Sequence, residues 1–144
     1  MYCDAITLFN FHKATSKWHP IVIKGVDFGS ALSSKPTTQG INNEDTVVFI
    51  IKCDRCKQIK TLSGKKTYLG SKEYARCDNP YGHFTFNDTK DFIYCGEWNG
   101  DTVINEEDYE SGLYSYMNSE FDEVYKITSS EFFSLLPHFE VRGK

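Results

Sequence analysis

Short runs of β-branched and aromatic residues, separated by turn-forming segments, constrain this chain to a β-rich fold. The most apolar run, residues 46–51 (TVVFII), is too short for a typical buried helix. Its length and its β-branched content predict a strand that is buried on both faces. Similar runs at residues 4–10 and 138–141 predict strands near both ends of the sequence, so we expect no tail, targeting segment or linker.

Turn residues divide the chain into seven or eight short strands, with one or two short helices and a long polar loop. The predicted helices are residues 71–76 and 105–118, although Gly112 disfavours one continuous second helix. This pattern predicts a mainly β fold, a small antiparallel β-barrel or sandwich, as a single domain over residues 1–144. The predicted strands are residues 4–10, 18–24, 46–51, 66–69, 83–86, 92–98, 124–129 and 137–141, and the predicted core residues are Leu8, Val22, Val48, Ile50, Phe84, Ile93 and Ile127.

The composition supports this fold class and argues against several functions. The chain has 11 Phe, 9 Tyr and 2 Trp, and aromatic residues fit a pleated, half-buried surface. A net charge of −4 argues against a protein that binds nucleic acid by general backbone electrostatics. No apolar run approaches the roughly 18 residues of a membrane span, so we expect no membrane association.

The cysteines suggest at most one candidate metal site. Five cysteines with scattered spacing and no export signal predict reduced thiols in a cytosolic compartment. Cys53 and Cys56 have the spacing of a metal or redox pair, and a mixed site with Cys77 and His83 is the alternative. Because a structural zinc site needs a second close pair, we expect incidental thiols, no metal and no cofactor.

We find no catalytic grouping in the sequence. The histidines are isolated from one another, and neither a phosphate-binding glycine loop nor an HExxH pair is present. The acidic clusters at residues 106–110 and 120–123 lack the glycine and the alternating oxygen ligands of a calcium loop. We therefore expect a protein that is not an enzyme, with these clusters forming a solvated acidic surface.

Opposite charges are segregated along the chain. Residues 52–76 contain eight basic residues and two acidic ones, whereas residues 101–123 contain eight acidic residues and no lysine or arginine. Two ordinary surface faces would explain this pattern. Head-to-tail contact between identical subunits would also explain it, because one patch would meet the complementary patch of the next copy. The candidate subunit-interface residues are Lys57, Lys60, Lys65, Glu106, Glu107 and Asp108.

The polar loop predicted at residues 29–45 (GSALSSKPTTQGINNED) is long for a compact domain. Loops of this length without periodicity are usually functional or mobile. The alternative is a surface loop of no consequence.

A series of short motifs runs through most of the chain. In chain order they are Asp4-x-Ile6-Thr7-Leu8-Phe9-Asn10, Trp18-x-Pro20-x-Val22-x-x-Gly25-Val26-Asp27, Lys66-x-Tyr68 with Lys72-Glu73-Tyr74, Gly82-x-Phe84-Thr85-Phe86, Asp91-x-Ile93 with Gly96-Glu97, and His138-Phe139-Glu140-Val141-x-Gly143-Lys144. In this order they resemble a family of small head–tail connector proteins of long-tailed phages and prophages of Gram-positive bacteria. The sequence departs from that family in a longer segment around residues 53–62 and in the acidic stretch 105–120.

The resemblance implies a structural virion protein of the phage neck, of the stopper or head-completion type. Such proteins are small β-barrels that form a ring between the portal or adaptor proteins and the tail terminator or tail tube. The protein would be made in the host bacterial cytoplasm and would reside in the virion neck. The loop of each copy would enter the channel and contact packaged DNA transiently. Its candidate channel residues are Ser30, Ser33, Lys35, Thr37, Gln39 and Asn42.

Other functions stay open at this point. A tail terminator ring protein would cap the tail tube instead of the portal. A small monomeric binding or anti-defence module belongs to a different class, and a zinc-dependent enzyme is a more distant alternative. Ring assembly predicts complementary surface patches, whereas a module or an enzyme predicts a cleft lined by convergent polar groups.

Overall fold

The computed structural model describes residues 5–30 and 46–144, and these residues form a mainly β fold, as predicted. Two short helices accompany the strands within this part of the chain. Helix α1 is Ser71–Arg76 and helix α2 is Leu113–Glu120, and Pro80–Gly82 and Glu106–Asp108 form 3-10 turns. The strands are β1 (Ala5–His12), β2 (Lys17–Lys24), β3 (Asp27–Ser30), β4 (Val47–Lys52), β5 (Gln58–Thr61), β6 (Gly64–Tyr68), β7 (His83–Phe84), β8 (Phe92–Tyr94), β9 (Ile104–Asn105), β10 (Val124–Phe133) and β11 (His138–Gly143).

An eight-stranded antiparallel sheet curls into a half-barrel. Its strand order is β3-β4-β11-β10-β8-β1-β2-β9, and a three-stranded sheet, β5-β6-β7, lies beside it. Strand β10 joins the two halves of the large sheet, because its first residues pair with β8 and its later residues pair with β11. A register irregularity between Ile127 and Ser129 lies at this change of partner, where a bulge allows a strand to bend.

Strand β1 is buried on both faces. Ile6 and Leu8 belong to the larger hydrophobic cluster, whereas Phe9 belongs to a second cluster beneath α2. The second cluster also contains Leu113 and Met117 of α2, whose spacing of four residues places both side chains on one face of the helix. Helix α2 therefore covers the side of β1 that would otherwise face solvent.

The prediction that residues 46–51 are buried on both faces is wrong. In β4, Val47, Phe49 and Ile51 are buried, while Val48 and Ile50 are only partly buried. Val22 in β2 was also predicted in the core and is only partly buried. Successive side chains along a strand point to opposite faces. A prediction that assigns the wrong alternate residues to the core is therefore wrong for each of them. The remaining predicted core residues, Leu8, Phe84, Ile93 and Ile127, are buried.

Two predicted boundaries also change. The polar loop does not begin at residue 29, because Gly29 and Ser30 pair with Val48 and Val47 as part of β3. The helix predicted at residues 105–118 is divided into a 3-10 turn and α2. Gly112 lies between them with a φ of 92°, a conformation that favours glycine.

Candidate assembly surfaces

Strands β5 and β6 form a hairpin with exposed basic side chains, which we call the basic hairpin. Lys60 of β5 and Lys65 of β6 lie directly opposite each other, and both side chains are exposed. Like charges in this position repel each other and destabilise the pair of strands. An anionic partner bound at this position would relieve that repulsion.

Lys57 connects the basic hairpin to the end of β10. Its Nζ lies 4.8 Å from the centroid of the Phe132 ring and 5.6 Å from that of Tyr68. An ammonium group over an aromatic face is attracted by the quadrupole of the ring. Lys57 is therefore partly buried against its own chain, unlike Lys60 and Lys65.

Four lysines line a cleft of about 450 Å³ beside the hairpin. Lys24 forms an ion pair with Glu97 at 3.2 Å, but the other three lysines form no salt bridge with a described residue. Asp54 also lines the cleft, and its Oδ1 already accepts backbone hydrogen bonds from Cys56 and Gln58, each at 2.9 Å. The cleft therefore carries a net positive charge. The lysines are Lys24, Lys52, Lys60 and Lys65.

Glu106 differs from the other predicted interface residues because its carboxylate is used inside the protein. Its Oε1 accepts hydrogen bonds from Trp18 Nε1 at 2.7 Å and from the Leu113 amide at 2.9 Å. Its Oε2 accepts one from Lys90 Nζ at 3.2 Å. Burial alone would raise the pKa of Glu106, but these hydrogen bonds lower it below its ordinary value. Glu106 thus holds α2 against β2, and its assignment to a subunit interface stays a prediction.

Four exposed acidic residues lie in the segment of chain that contains α2, and this segment also carries an exposed aromatic side chain. Glu107 and Asp108 are exposed, and Tyr109 follows them and contacts Tyr116, with 5.0 Å between ring centroids. Tyr116 is 41% exposed, and Glu120 lies one helical turn further on the same side. We call Glu107, Asp108, Glu110, Tyr116 and Glu120 the acidic face.

The turn between β10 and β11 presents the most exposed large apolar side chains among the described residues. Leu135 is 87% exposed and Leu136 is 77% exposed. This apolar tip lies beside the basic segment, because Lys52 pairs with His138 and the Cys53 amide donates to the Pro137 carbonyl at 3.3 Å. This tip was not predicted from the sequence, although a Leu-Leu pair before a proline at a strand end is a recognisable signal.

Most of the candidate channel residues cannot be placed. Ser33, Lys35, Thr37, Gln39 and Asn42 lie outside the described residues. Ser30 is the last residue of β3, and its backbone pairs with Val47. The assignment of these residues to a DNA channel stays a prediction.

A second cleft, of about 260 Å³, contains a cysteine and two histidines. His12 Nε2 lies 2.8 Å from the Cys77 carbonyl oxygen and 4.0 Å from the Cys77 sulfur. The imidazole therefore donates its proton to the carbonyl and cannot accept one from the thiol. Burial raises the pKa of Cys77, which favours an unreactive thiol. The arrangement does not activate Cys77 as a nucleophile.

His19 lines the same cleft and is buried. Its Nε2 has no hydrogen-bond partner among the described residues. Burial first, and then the positive charges of His12, Lys66 and Lys17, lower the pKa of His19 to about 4. His19 is therefore neutral at physiological pH and forms part of the packing between β2 and Tyr81, with a ring-centroid distance of 5.1 Å.

A buried polar network fixes several residues of the sequence motifs. Asn10 Nδ2 donates to the Thr85 carbonyl at 2.7 Å and to Asp91 Oδ2 at 2.9 Å. Asp91 is fully buried and also accepts backbone hydrogen bonds from Phe11 and Asn87. Burial raises the pKa of Asp91 to about 7, against the opposing effect of these donors. These residues join distant strands, which gives them a structural role.

The remaining cysteines form no metal centre in the described part of the chain. Cys53, Cys56, Cys77 and Cys95 form no disulfide within the described residues. No three side chains of His, Cys, Asp or Glu are grouped to hold a metal within residues 5–30 and 46–144. Among the helices of these residues, none has the length and apolar character needed to cross a bilayer.

Comparison with protein families gives a match over residues 1–144. The matching description is "Family of unknown function (DUF6751)". No curated protein and no solved structure matches the chain at a significant level. Since the match extends over residues 1–144, the chain belongs to the DUF6751 family.

Proposed function

We propose that the protein is a structural subunit of the neck of a long-tailed phage, where copies form a ring between portal and tail. In this role it closes the DNA channel and offers the surface on which the tail docks. The proposal rests on the resemblance of the sequence motifs to head–tail connectors and on one structural observation. That observation is the opposite character of the two ends of β10.

Strand β10 begins next to the acidic face and ends at the apolar tip. Helix α2 leads into Val124 through three residues, and Phe133 is followed by Leu135 and Leu136. With a rise of about 3.3 Å per residue, the path along the strand from one surface to the other is about 30 Å. The basic hairpin lies at the tip end, because Lys57 packs on Phe132. One end is therefore acidic and the other is basic and apolar.

Two complementary surfaces at opposite ends of one subunit suit a head-to-tail contact. Such a contact is heterologous, and repetition of it closes into a ring when the rotation between copies permits. Opposite charges would orient the approaching copies and exclude wrong arrangements. By the resemblance, the further partners are the portal or adaptor proteins, the tail terminator or tail tube, and the packaged DNA.

The cleft lined by lysines favours a second candidate function. A monomeric module that binds an acidic protein partner would use the same four lysines without any contact between copies. The two functions make different demands on the acidic face. Ring assembly requires this face, whereas a module that binds through the basic cleft does not.

Charge reversal in the encoding phage distinguishes these functions. The basic variant is Lys60→Glu with Lys65→Glu, and the acidic variant is Glu107→Lys with Asp108→Lys. Lys57 and Glu106 are left unchanged because both make intramolecular contacts. We expect each variant alone to reduce infectivity and to leave heads and tails unjoined in electron micrographs. The combined variant should partly restore joined particles, since the attraction depends on complementarity.

Two results would contradict the proposal. Normal particles from both single-patch variants would show that the patches are ordinary solvated surfaces. Normal joined particles from a phage that lacks the protein would exclude a neck function altogether. A loss of function confined to the basic variant, with no rescue, would favour the monomeric module.

A further inference from the structure

We propose that Leu135 and Leu136 of one copy dock on the acidic face of a second copy, against Tyr116. This inference rests on the proposed function and names the apolar centre of its ring contact. Charge alone gives orientation, and the affinity of a protein interface comes mainly from desolvated apolar groups at its centre. The apolar tip is the element of the described structure that supplies such groups next to the basic hairpin.

The tip is held in place by contacts of its own chain. His138 Nδ1 donates to the Leu136 carbonyl at 2.6 Å, and the His138 ring stacks on Phe133 with 4.9 Å between centroids. The Pro137 carbonyl accepts the Cys53 amide. Because the backbone of the turn is ordered before any contact, docking of the two leucines would lose little conformational entropy.

The surroundings of the tip match the surroundings of Tyr116. Lys52, Arg55 and Lys57 outnumber Asp54 in the segment beside the tip, and the carboxylate of Glu140 is paired with His138 at 3.2 Å. The acidic face provides four exposed carboxylates from the segment that contains Tyr109 and Tyr116, whose rings lie in contact. An apolar centre with a positive rim would therefore meet an aromatic centre with a negative rim.

The acidic face of the same copy cannot receive the tip. Both surfaces are fixed to opposite ends of β10, and the ten residues of this strand hold them apart. A contact between them therefore requires a second copy. The second copy's own tip is then left free for a third, so that the contact propagates around a ring.

Photo-cross-linking on assembled necks tests the contact. Leu135→p-benzoylphenylalanine is introduced in the encoding phage by amber suppression, and cross-linked peptides from purified necks are identified by mass spectrometry. We expect cross-links from position 135 to residues 105–120 of another copy. Lys72 is the control position, because it is exposed on α1 and belongs neither to the basic hairpin nor to the apolar tip. Its cross-links to residues 105–120 should be at least about tenfold weaker.

A substitution test supports the cross-linking. Leu135→Ser with Leu136→Ser should reduce ring assembly about tenfold or more, whereas Leu62→Ser, which removes an exposed leucine (59%) at the rim of the proposed contact, should not. Circular dichroism and thermal melting establish that each variant is folded. Rings that form normally with both serines would overturn the inference.

The outcomes separate this inference from the proposed function. Cross-links that map elsewhere in necks containing the protein would overturn the docking site and leave the neck function intact. Absence of the protein from purified necks would overturn the neck function. In that case the same cross-linking on concentrated purified protein, mixed as ¹⁴N and ¹⁵N chains, still tests the contact. The absence of mixed-isotope cross-links from position 135 to residues 105–120 would then overturn it.

Discussion

Lys60 and Lys65 lie directly opposite each other across the β5–β6 ladder, with both ammonium groups on the exposed side of the hairpin. Repulsion between the two ammonium groups destabilises the isolated subunit. We therefore expect Lys60→Glu to stabilise the monomer by a few tenths of a kcal/mol, up to about 1 kcal/mol. Urea denaturation at low protein concentration measures this change.

The same substitution should weaken association between copies, which gives opposite effects on stability and assembly. Lys72→Glu on α1 is the charge-matched control, since it changes the net charge equally at an exposed position outside the basic hairpin. If Lys60→Glu leaves assembly unchanged, or weakens it no more than Lys72→Glu does, the hairpin has no role in subunit contact.

Glu106 and Glu107 are adjacent acidic residues with different predicted effects on stability. Glu106→Ala leaves Trp18 Nε1, the Leu113 amide and Lys90 without their acceptor. We expect a loss of about 2–3 kcal/mol in the free energy of unfolding, and about 1 kcal/mol for Glu106→Gln, which keeps one acceptor oxygen. Glu107→Ala should change it by less than about 0.5 kcal/mol.

Urea unfolding followed by tryptophan fluorescence measures these differences, because Trp18 itself reports the network. Equal effects of Glu106→Ala and Glu107→Ala would contradict the internal role of Glu106. The lowered pKa of Glu106 also fixes the sign of its pH dependence. The stability that the ionised Glu106 contributes is present above the ordinary glutamate pKa. It is lost as the pH falls from that value through the lower pKa of Glu106 in the folded protein.

His19 should make the protein sensitive to acid. Its pKa is about 4 in the folded protein and near 6.5 in the unfolded chain, so the unfolded chain binds the proton first as the pH falls. The stability that His19 contributes is therefore present above pH 6.5 and is lost as the pH falls towards 4. The loss amounts to about 3 kcal/mol at most.

The variant His19→Phe keeps an aromatic ring beside Tyr81 and removes both the titration and the unpaired Nε2. We expect it to be at least as stable as the parent at pH 7 and more stable than the parent at pH 4.5. Taking the difference between the two proteins at each pH cancels the opposite contribution of Asp91, whose raised pKa favours the folded state on acidification. If the difference in unfolding free energy between the parent and His19→Phe is the same at pH 7 and at pH 4.5, His19 is not held neutral in the folded protein.

Residues 31–45 connect two strands that are already neighbours. Ser30 and Val47 are directly opposite in the β3–β4 ladder, so a short turn can replace the connection without moving either strand. We expect replacement of residues 31–45 by a four-residue Gly-Ser turn to leave the melting temperature within a few degrees of the parent. In the encoding phage, the same change should give heads that leak DNA or fail to join tails.

Thermal melting of the purified variant and electron microscopy of the particles check these expectations separately. A variant that fails to fold would show that the segment is structural. Full infectivity with the short turn would contradict its predicted role in the DNA channel.

The parts of the fold that depend on local sequence were predictable. The β1–β2 hairpin follows from two runs of alternating residues with a turn between them, and α1 follows from a short helical segment. The sequence could not show which face of β4 is buried, because the residues on both faces of this strand are apolar. Val48 and Phe49, for example, are equally suited to a core. Strand β5 (QIKT) carries too little apolar pattern to be predicted at all.

The candidate surfaces were predictable only in their charge. The positive charge of residues 52–76 indicated a basic patch. The structure adds that Lys60 and Lys65 lie directly opposite each other on neighbouring strands. No local signal separates Glu106 from Glu107, because one partner of the Glu106 carboxylate is Trp18, 88 residues away. Contacts of this separation arise from the tertiary fold and leave no periodicity in the sequence.

The central position of β11 has a consequence for synthesis of the protein. Strand β11 lies between β4 and β10, and β10 in turn pairs with β8 at the centre of the large sheet. While residues 124–143 are still in the ribosome, the edge of β4 that will pair with β11 has no partner. The two halves of the large sheet are then not joined. A nascent chain that stops early therefore cannot complete the sheet. Incomplete chains should be degraded and should not compete with full-length subunits for places in an oligomer.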